Sequence, residues 1–442
     1  MRRTLLSLAF ASALALAAAA NAQASDPAAI ARQALDRLDA GDFAQVEQSF
    51  GAQMAAAVPA DKLKAVWASL PAQVGNATGR GEAAVSAQGD ASLVKIPLHF
   101  EKAELVATFA IDADGKITGF VVQPAQGAAP AAAVASDATF LERELMVGEG
   151  ERALPGTLAL PKVDGRASGK PVPAVVLVHG SGPHDRDETI GPNKPFLDIA
   201  RGLAAQGIAV LRYDKRTKAR PQDFTGGIFG VDEETTIDAV HAVDALRKVE
   251  GIDPRRVFVL GHSQGGMMAP RIAAMSGHVA GLVLLAAPAR PLLDILIEQN
   301  RRLAVLDDGS TSAAEREAIH ALIQQVRSTR DAATDIAAKG PMGLPVGYWR
   351  SIDGVDAVAE AKRLKLPMLV LQGARDIQVV DADWQLWRDA FHADPKVAFK
   401  LYDKLNHLGI AGEGEGSLAE YQQPGHVDPQ LIDDVAGWLK AH

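Results

Sequence analysis

The chain predicts an α/β unit, a mostly parallel sheet with helices on both faces and a helical cap insertion, preceded by a small α+β domain. Three observations predict it. Short apolar runs at 174–178, 257–260, 281–285, 366–373 and 397–402 have the continuous hydrophobicity of strands covered on both faces. One of them passes through Gly261-His-Ser263-Gln-Gly265 directly into a helical pattern, a strand-to-helix turn too sharp for an ordinary backbone. The front of the chain instead shows helical spacing followed by closely spaced strands.

The elements follow in order. Arg2-Arg3, an apolar stretch over 5–20 and Ala20-Asn-Ala22 form a basic region, a hydrophobic region and a small-x-small cleavage site. They predict a secretory signal peptide at 1–22 and a periplasmic or secreted protein, because the stretch is too short and alanine-rich for a membrane anchor. Residues 25–124 read as the α+β domain, with helices at 28–50 and 60–73 and strands at 82–85, 93–100, 103–111 and 116–122. Asp112-Ala-Asp-Gly115 marks the turn between the last two strands. Residues 125–136, mostly Ala, Pro, Gly and Val, read as a linker, and 137–442 as the catalytic domain.

Composition bounds the chemistry. With 442 residues, 48% hydrophobic and 22% charged, the chain buries a large core and exceeds a single domain. It has no cysteine, which excludes disulfides, thiolate metal sites and thiol catalysis. A net charge of -9, spread without runs of one sign, gives no nucleic-acid-binding surface. Gly412-Glu-Gly-Glu-Gly416 follows no strand, and its carboxylates repel phosphate, so it reads as a loop near the active-site rim.

The strand-to-helix turn makes Ser263 a candidate nucleophile, standing clear at a helix N-terminus that favours developing negative charge. A serine needs a base, an orienting acid and an oxyanion hole. Asp376 lies just past the apolar run ending at Gly373, and His407 follows the next run, so Asp376 is the candidate acid and His407 the candidate base. Asp381 and Asp383 read as helix-start residues before Trp384, and Asp403 precedes His407 too closely. His262 belongs to the turn itself, and His241 lies in a predicted helix. The backbone N–H of Gln264 and that of Ser181, between two glycines after the run at 174–178, are the candidate oxyanion donors. His179, His184, Asp185 and Asp187 share that loop, but their spacing matches no common metal-ligand pattern.

Taken together, these pieces resemble the α/β-hydrolase-fold serine carboxylesterases, most closely the bacterial esterases related to dienelactone hydrolases and the prolyl-oligopeptidase-like group. The resemblance is carried by Leu154-Pro-Gly-Thr-Leu-Ala-Leu-Pro161, His179-Gly-Ser-Gly-Pro183, Gly191-Pro-Asn-Lys-Pro-Phe196, Leu211-Arg-Tyr-Asp-Lys-Arg-Thr217, the turn at Ser263 and Leu405-Asn-His407. It implies that Ser263, Asp376 and His407 form a catalytic triad in the chain order of that fold. The 25–124 unit resembles the small cystatin- or NTF2-like modules that precede some bacterial esterases.

About 80 residues separate the strands at 281–285 and 366–373, more than a connection needs. They predict a cap over about 290–365, with helices at 292–306, 312–328 and 357–364 and an irregular aromatic segment at 340–349. Met342, Leu344, Tyr348 and Trp349 are the candidate substrate-pocket residues there, with packing of the cap onto the sheet an equal explanation.

The expected function is a serine carboxylesterase that hydrolyses small to medium esters through an acyl-enzyme, with no metal or organic cofactor. The expected partner is a small-molecule ester; neither nucleic acid nor a membrane span after signal cleavage is expected, and oligomerisation is compatible with the sequence. The same triad also suits an exopeptidase, an amidase or an acyltransferase. A third class is an envelope-associated binding protein on a hydrolase scaffold.

Overall fold

A computed structural model describes residues 26–88, 91–101, 103–124, 135–163, 166–167, 171–224, 229–306 and 309–442. The predicted signal peptide at 1–22 and nearly all of the predicted linker at 125–136 lie outside these residues. The chain divides into two compact units, Met1–Pro130 and Ala131–His442.

The first unit contains helices α1 (Pro27–Ala40), α2 (Phe43–Gln48), α3 (Ala52–Ala57) and α4 (Ala60–Val74), then strands β1 (Ala77–Arg80), β2 (Ala84–Gln88), β3 (Ala91–Phe100), β4 (Glu104–Ile111) and β5 (Ile117–Pro124). The strands form an antiparallel sheet in the order β1-β3-β4-β5, with β2 also on β3. One helix was expected over 28–50, but the chain breaks after Ala40 because Gly41 takes a left-handed conformation, φ 79°, that ends α1 and turns the chain into α2. Helix α3 and strand β1 have no counterpart in the sequence reading. Leu35, Leu38 and Val46 of the helices bury against Val94, Ile96, Phe109 and Ile117 of the sheet. The expected turn is built by Asp112, whose Oδ1 accepts from the Asp114 and Lys116 amides at 3.1 and 2.8 Å.

The second unit is an α/β sheet. Its strands are β6 (Phe140–Val147), β7 (Leu154–Val163), β8 (Arg166–Ala167), β9 (Val172–Val178), β10 (Ala209–Tyr213), β11 (Ile252–His262), β12 (Leu282–Leu285), β13 (Met368–Gly373) and β14 (Val397–Tyr402). Its helices are α5 (Pro195–Ala205), α6 (Arg216–Ala219), α7 (Ile237–Arg247), α8 (Gln264–Ser276), α9 (Leu292–Leu306), α10 (Ala313–Arg330), α11 (Val346–Asp353), α12 (Ala357–Leu364), α13 (Asp381–Phe391) and α14 (Pro429–Ala441). The strand order is β14-β13-β12-β11-β9-β10-β7-β6, with β8 on β7. The six strands from β9 to β14 run parallel to their neighbours, and β7 and β6 add in antiparallel fashion.

The period-two geometry of a strand explains why its central runs are wholly apolar. Ala174, Val176, Val178, Val257 and Val259 point to one face, where α7, α8 and α13 pack. Val175, Leu177, Phe258 and Leu260 point to the other, where α5 and α14 pack. The order reverses on either side of β9, and such a reversal opens a crevice at the carboxyl ends of the strands. The segments after β9, β11, β13 and β14, which hold the predicted site residues, all lie at that edge.

The cap lies between β12 and β13. Helices α9 and α12 keep their predicted limits, but 340–349 is not irregular throughout. A 3-10 turn at Pro341–Gly343 is followed by α11, which holds Tyr348 and Trp349 and starts after Pro345, a residue that cannot continue a preceding helix. Among the described residues, no helix is long and apolar enough to cross a membrane.

Candidate active site

The site is built on backbone that few residues tolerate. Ser263 adopts φ 53° and ψ -122° between β11 and α8, a conformation that costs a non-glycine residue about 1–3 kcal/mol. Its amide donates to the Leu285 carbonyl on neighbouring β12 at 2.9 Å, which fixes the turn against the sheet. The flanking glycines are required sterically: a Cβ on Gly261 would lie 2.2 Å from the Gly265 carbonyl oxygen, and one on Gly265 would lie 2.1 Å from that of Val178. Gln264 opens α8, where first-turn N–H groups lack intrahelical acceptors and aim toward the serine side of the turn.

Asp376 and His407 meet at the carboxyl ends of the neighbouring strands β13 and β14. His407 Nδ1 lies 2.8 Å from Asp376 Oδ2, with both residues buried. A carboxylate only accepts, so Nδ1 carries the proton and Nε2 keeps its lone pair for an incoming proton. Asp376 is fixed from every side: Oδ1 accepts from the Gln378 and Val379 amides at 2.8 and 3.0 Å, and Oδ2 also accepts from Gln372 Nε2 at 3.2 Å. The His407 turn reaches it because Gly373 has no side chain; a Cβ there would lie 2.2 Å from the Leu405 carbonyl oxygen. Asn406 shapes the turn by accepting from the Leu408 and Ile410 amides. Arg375, beside the acid, donates to the Gly414 and Glu413 carbonyls at 2.7 and 2.9 Å, which places the 412–416 loop at this rim.

The loop after β9 is packed directly on the serine: a Cβ built on Gly180 would lie 3.2 Å from Ser263 Cβ. Each member of the Asp185-Arg186-Asp187-Glu188 run in this loop has a task. Asp185 accepts from the Thr189 amide and hydroxyl, Arg186 is bidentate to Asp214, Asp187 pairs with buried Arg212, and Glu188 Oε1 accepts from the Gly180 amide at 2.7 Å. The Gly180 amide is therefore occupied within the loop. Among the described residues, no group of three or more His, Asp or Glu is placed to hold a metal ion.

Two further buried ion pairs lie behind these loops, and neither is read from the sequence. Lys215 pairs with Glu234 and donates to the Gly180 carbonyl at 2.8 Å, while Glu234 Oε2 accepts from the Gln264 side chain at 2.7 Å. One pair thus ties together both segments that carry the candidate oxyanion donors. Glu234 sits in a π-helical turn, Asp232–Thr236, of a kind that recurs at functional sites. The second pair joins Glu188 to His262. The only local signals were a lysine in the 211–217 motif and a glutamate at the end of the loop after β9. Lys215→Met would leave Glu234 buried without a cation and should destabilise the unit by about 3–5 kcal/mol. Chemical denaturation should show that loss, largely restored in Lys215→Met combined with Glu234→Gln.

Burial holds the imidazole of His179 neutral, down to about 3 despite the nearby Glu188 carboxylate. Its pKa is depressed on folding, so the unfolded chain binds a proton that the folded one refuses between the ordinary histidine value and about 3. This contribution is present above about pH 6.5 and falls away as pH drops through that window. From pH 7 to pH 5 it should remove about 2 kcal/mol of stability, a drop that denaturant titrations at the two pH values should find smaller in His179→Gln.

The four predicted pocket residues separate. Tyr348 is buried against Phe229, with ring centroids 5.4 Å apart, and its hydroxyl lies by Gln264 and Glu234. Burial and the Glu234 charge push that hydroxyl well above the ordinary tyrosine range, so it stays protonated. Trp349 is buried within the cap and donates to the Pro341 carbonyl at 2.8 Å. Leu344 is half-buried against the core, and Met342 is 76% exposed. Of the four, Tyr348 is placed against the serine turn. The cap also reaches the acid segment, where Gln299 Nε2 donates to the Gln378 carbonyl at 2.9 Å.

Residues 169–413 match the family described as serine aminopeptidase, S33, and residues 31–120 match a family of unknown function, DUF3887. Esterase EstD of Thermotoga maritima is 36% identical over 388 residues, which cover 88% of this chain and 89% of the relative. Among solved structures, Est1E from Butyrivibrio proteoclasticus has a TM-score of 0.41 at 16% identity, covering 67% of this chain and 96% of that one. The esterase domain of a Rhodothermus marinus protein has a TM-score of 0.41 at 18% identity, covering 68% and 98%.

Proposed function

This chain belongs to the serine hydrolase family of the S33 serine aminopeptidases and Esterase EstD, and on that premise we propose that it is a carboxylesterase using Ser263, His407 and Asp376. The observation that carries the reading is a His407–Asp376 hydrogen bond of 2.8 Å at the same sheet edge as a strained serine on a helix N-terminus. Ser263 Oγ adds to the ester carbonyl as its proton passes to His407 Nε2, while the Ser181 and Gln264 amides hold the oxyanion. Collapse of the tetrahedral intermediate breaks the bond to the alcohol oxygen, which takes the proton from His407. A water then gives its proton to His407, adds to the acyl-enzyme, and releases the carboxylic acid and the serine.

The family description names an aminopeptidase, and an enzyme of that kind needs a carboxylate for the substrate's ammonium. The carboxylates grouped near the serine turn already have partners: Glu234 has Lys215, Glu188 has His262, Asp232 has Arg271, and Glu233 accepts from the Gly230 amide. This favours a neutral ester. Wild-type kcat/KM should be compared between p-nitrophenyl esters from acetate to laurate and aminoacyl p-nitroanilides. Ester turnover well above amide turnover is expected, and the reverse ranking would sink the proposal. The basic, apolar and small-residue pattern of residues 1–22 supports export to the periplasm. Mature protein should then begin after Ala22 by N-terminal sequencing.

A further inference from the structure

The mechanism gives no task to the buried pair of Glu188 and His262. His262, the residue before the candidate nucleophile, lies with Nδ1 2.9 Å from Glu188 Oε2 and Nε2 2.8 Å from the carbonyl oxygen of His407. The other Glu188 oxygen accepts from the Gly180 amide. We propose that Glu188 and His262 form a permanently charged brace, separate from the triad, that holds the oxyanion loop, the serine turn and the His407 turn in one register. The proposal rests on the esterase reading for what the register serves, but not for the state of the pair.

The proton positions follow from the partners. A carbonyl oxygen only accepts, so Nε2 carries a proton. Glu188 Oε1 already accepts from an amide, which favours the carboxylate, and a bare Nδ1 facing a carboxylate oxygen would set two lone pairs together in a nearly dry site. Nδ1 is therefore protonated too, and His262 is an imidazolium. The neighbouring groups agree. Burial opposes the charge on His262, but Glu188, the His407 carbonyl and the Asp376 carboxylate outweigh it and hold His262 above the ordinary histidine range. His179 and His184, also near Glu188, are held below that range chiefly by burial, and Lys215 adds a further cation on their side. The ring of His262 lies 4.7 Å from that of His407.

The backbone marks the same two places. Glu188 adopts φ 51°, rare for a glutamate, and the residue after His262, Ser263, adopts φ 53°, so strained backbone lies at one member of the pair and next to the other. The contacts span 74 and 145 residues of sequence, and no other single pair described above touches the oxyanion loop, the serine turn and the base turn together. His262 and Glu188 act through the backbone and side chains they hold, so they are positioning residues.

The test combines a spectrum with a charge rescue. Wild-type protein with 15N-labelled histidine, examined at pH 7 by long-range proton–nitrogen correlation, should show one ring with both nitrogens protonated, assigned by its absence from His262→Gln. Glu188→Gln should convert that ring to a neutral tautomer. On p-nitrophenyl butyrate, His262→Gln strands the Glu188 carboxylate and should lower kcat at least about tenfold with KM changed less than about threefold. Adding Glu188→Gln should recover a substantial part of the loss. A neutral His262 in wild type, full activity in folded His262→Gln, or a double variant no better than the single would overturn the proposal. Should His262→Gln not fold, the ring is assigned instead as the one that loses a proton in Glu188→Gln, and a wild-type spectrum with no ring that does so would overturn the proposal. Should wild type hydrolyse no ester, the functional reading fails while the spectrum still reports on the pair.

Discussion

Ser263→Ala should lower kcat for ester hydrolysis by at least about 10⁴-fold, with the protein as stable as wild type or slightly more so. The size follows from the division of labour at the site. Removing Oγ leaves the Ser181 and Gln264 amides and the binding surface in place, which by themselves retain only a small part of the acceleration. The stability follows from the backbone: the strain at φ 53° is set by the turn and the packing of α8, and alanine bears it as serine does. Parallel kinetics and thermal unfolding would check both halves. Equal rates in the two proteins would remove Ser263 from the chemistry.

Asp376→Asn should cost about 10³- to 10⁴-fold in kcat, and unlike the serine substitution it should also reduce stability. All four groups around Asp376 are N–H donors: two backbone amides at Oδ1, and Gln372 Nε2 and His407 Nδ1 at Oδ2. An asparagine must turn its NH₂ toward one pair or the other, so a donor faces donors in either orientation. The Gln372 amide is held in place, since it also donates to the Val379 carbonyl at 2.8 Å. Where the asparagine NH₂ faces His407, it favours the tautomer with the proton on Nε2, and the base can no longer accept from Ser263. The measurement is kcat with a folding check. An Asp376→Asn enzyme within a few-fold of wild type would mean that His407 does not need this partner.

What could be read in the sequence was what is encoded locally. The serine turn, the acid after β13, the base after β14 and helices α9 and α12 all announce themselves through apolar runs, glycines and helical spacing. The sequence suggests an irregular segment for Tyr348 and Trp349 because Gly340, Pro341, Gly343 and Pro345 crowd the stretch before them. The structure uses those residues to enter α11, not to prevent it. The single helix expected over 28–50 failed at Gly41, where one left-handed residue outweighs helical periodicity on both sides. The Lys215–Glu234 and Glu188–His262 pairs were illegible for a different reason. Their members lie far enough apart in sequence that only the assembled sheet brings them together, and a buried charge looks like a surface charge until its partner is known.

The strand order also sets when the chemistry becomes available. The candidate acid and base follow β13 and β14, the last two strands to emerge in the chain, with the cap inserted before them. On the proposed triad, a chain in which β13 and β14 have not docked lacks the His407–Asp376 pair that would activate the hydroxyl. On that reading, the serine should become open to acylation only once β14 is docked. In refolding from denaturant, labelling of Ser263 by a fluorophosphonate should lag behind recovery of secondary structure, and labelling that keeps pace with it would show the serine to be reactive without its partners.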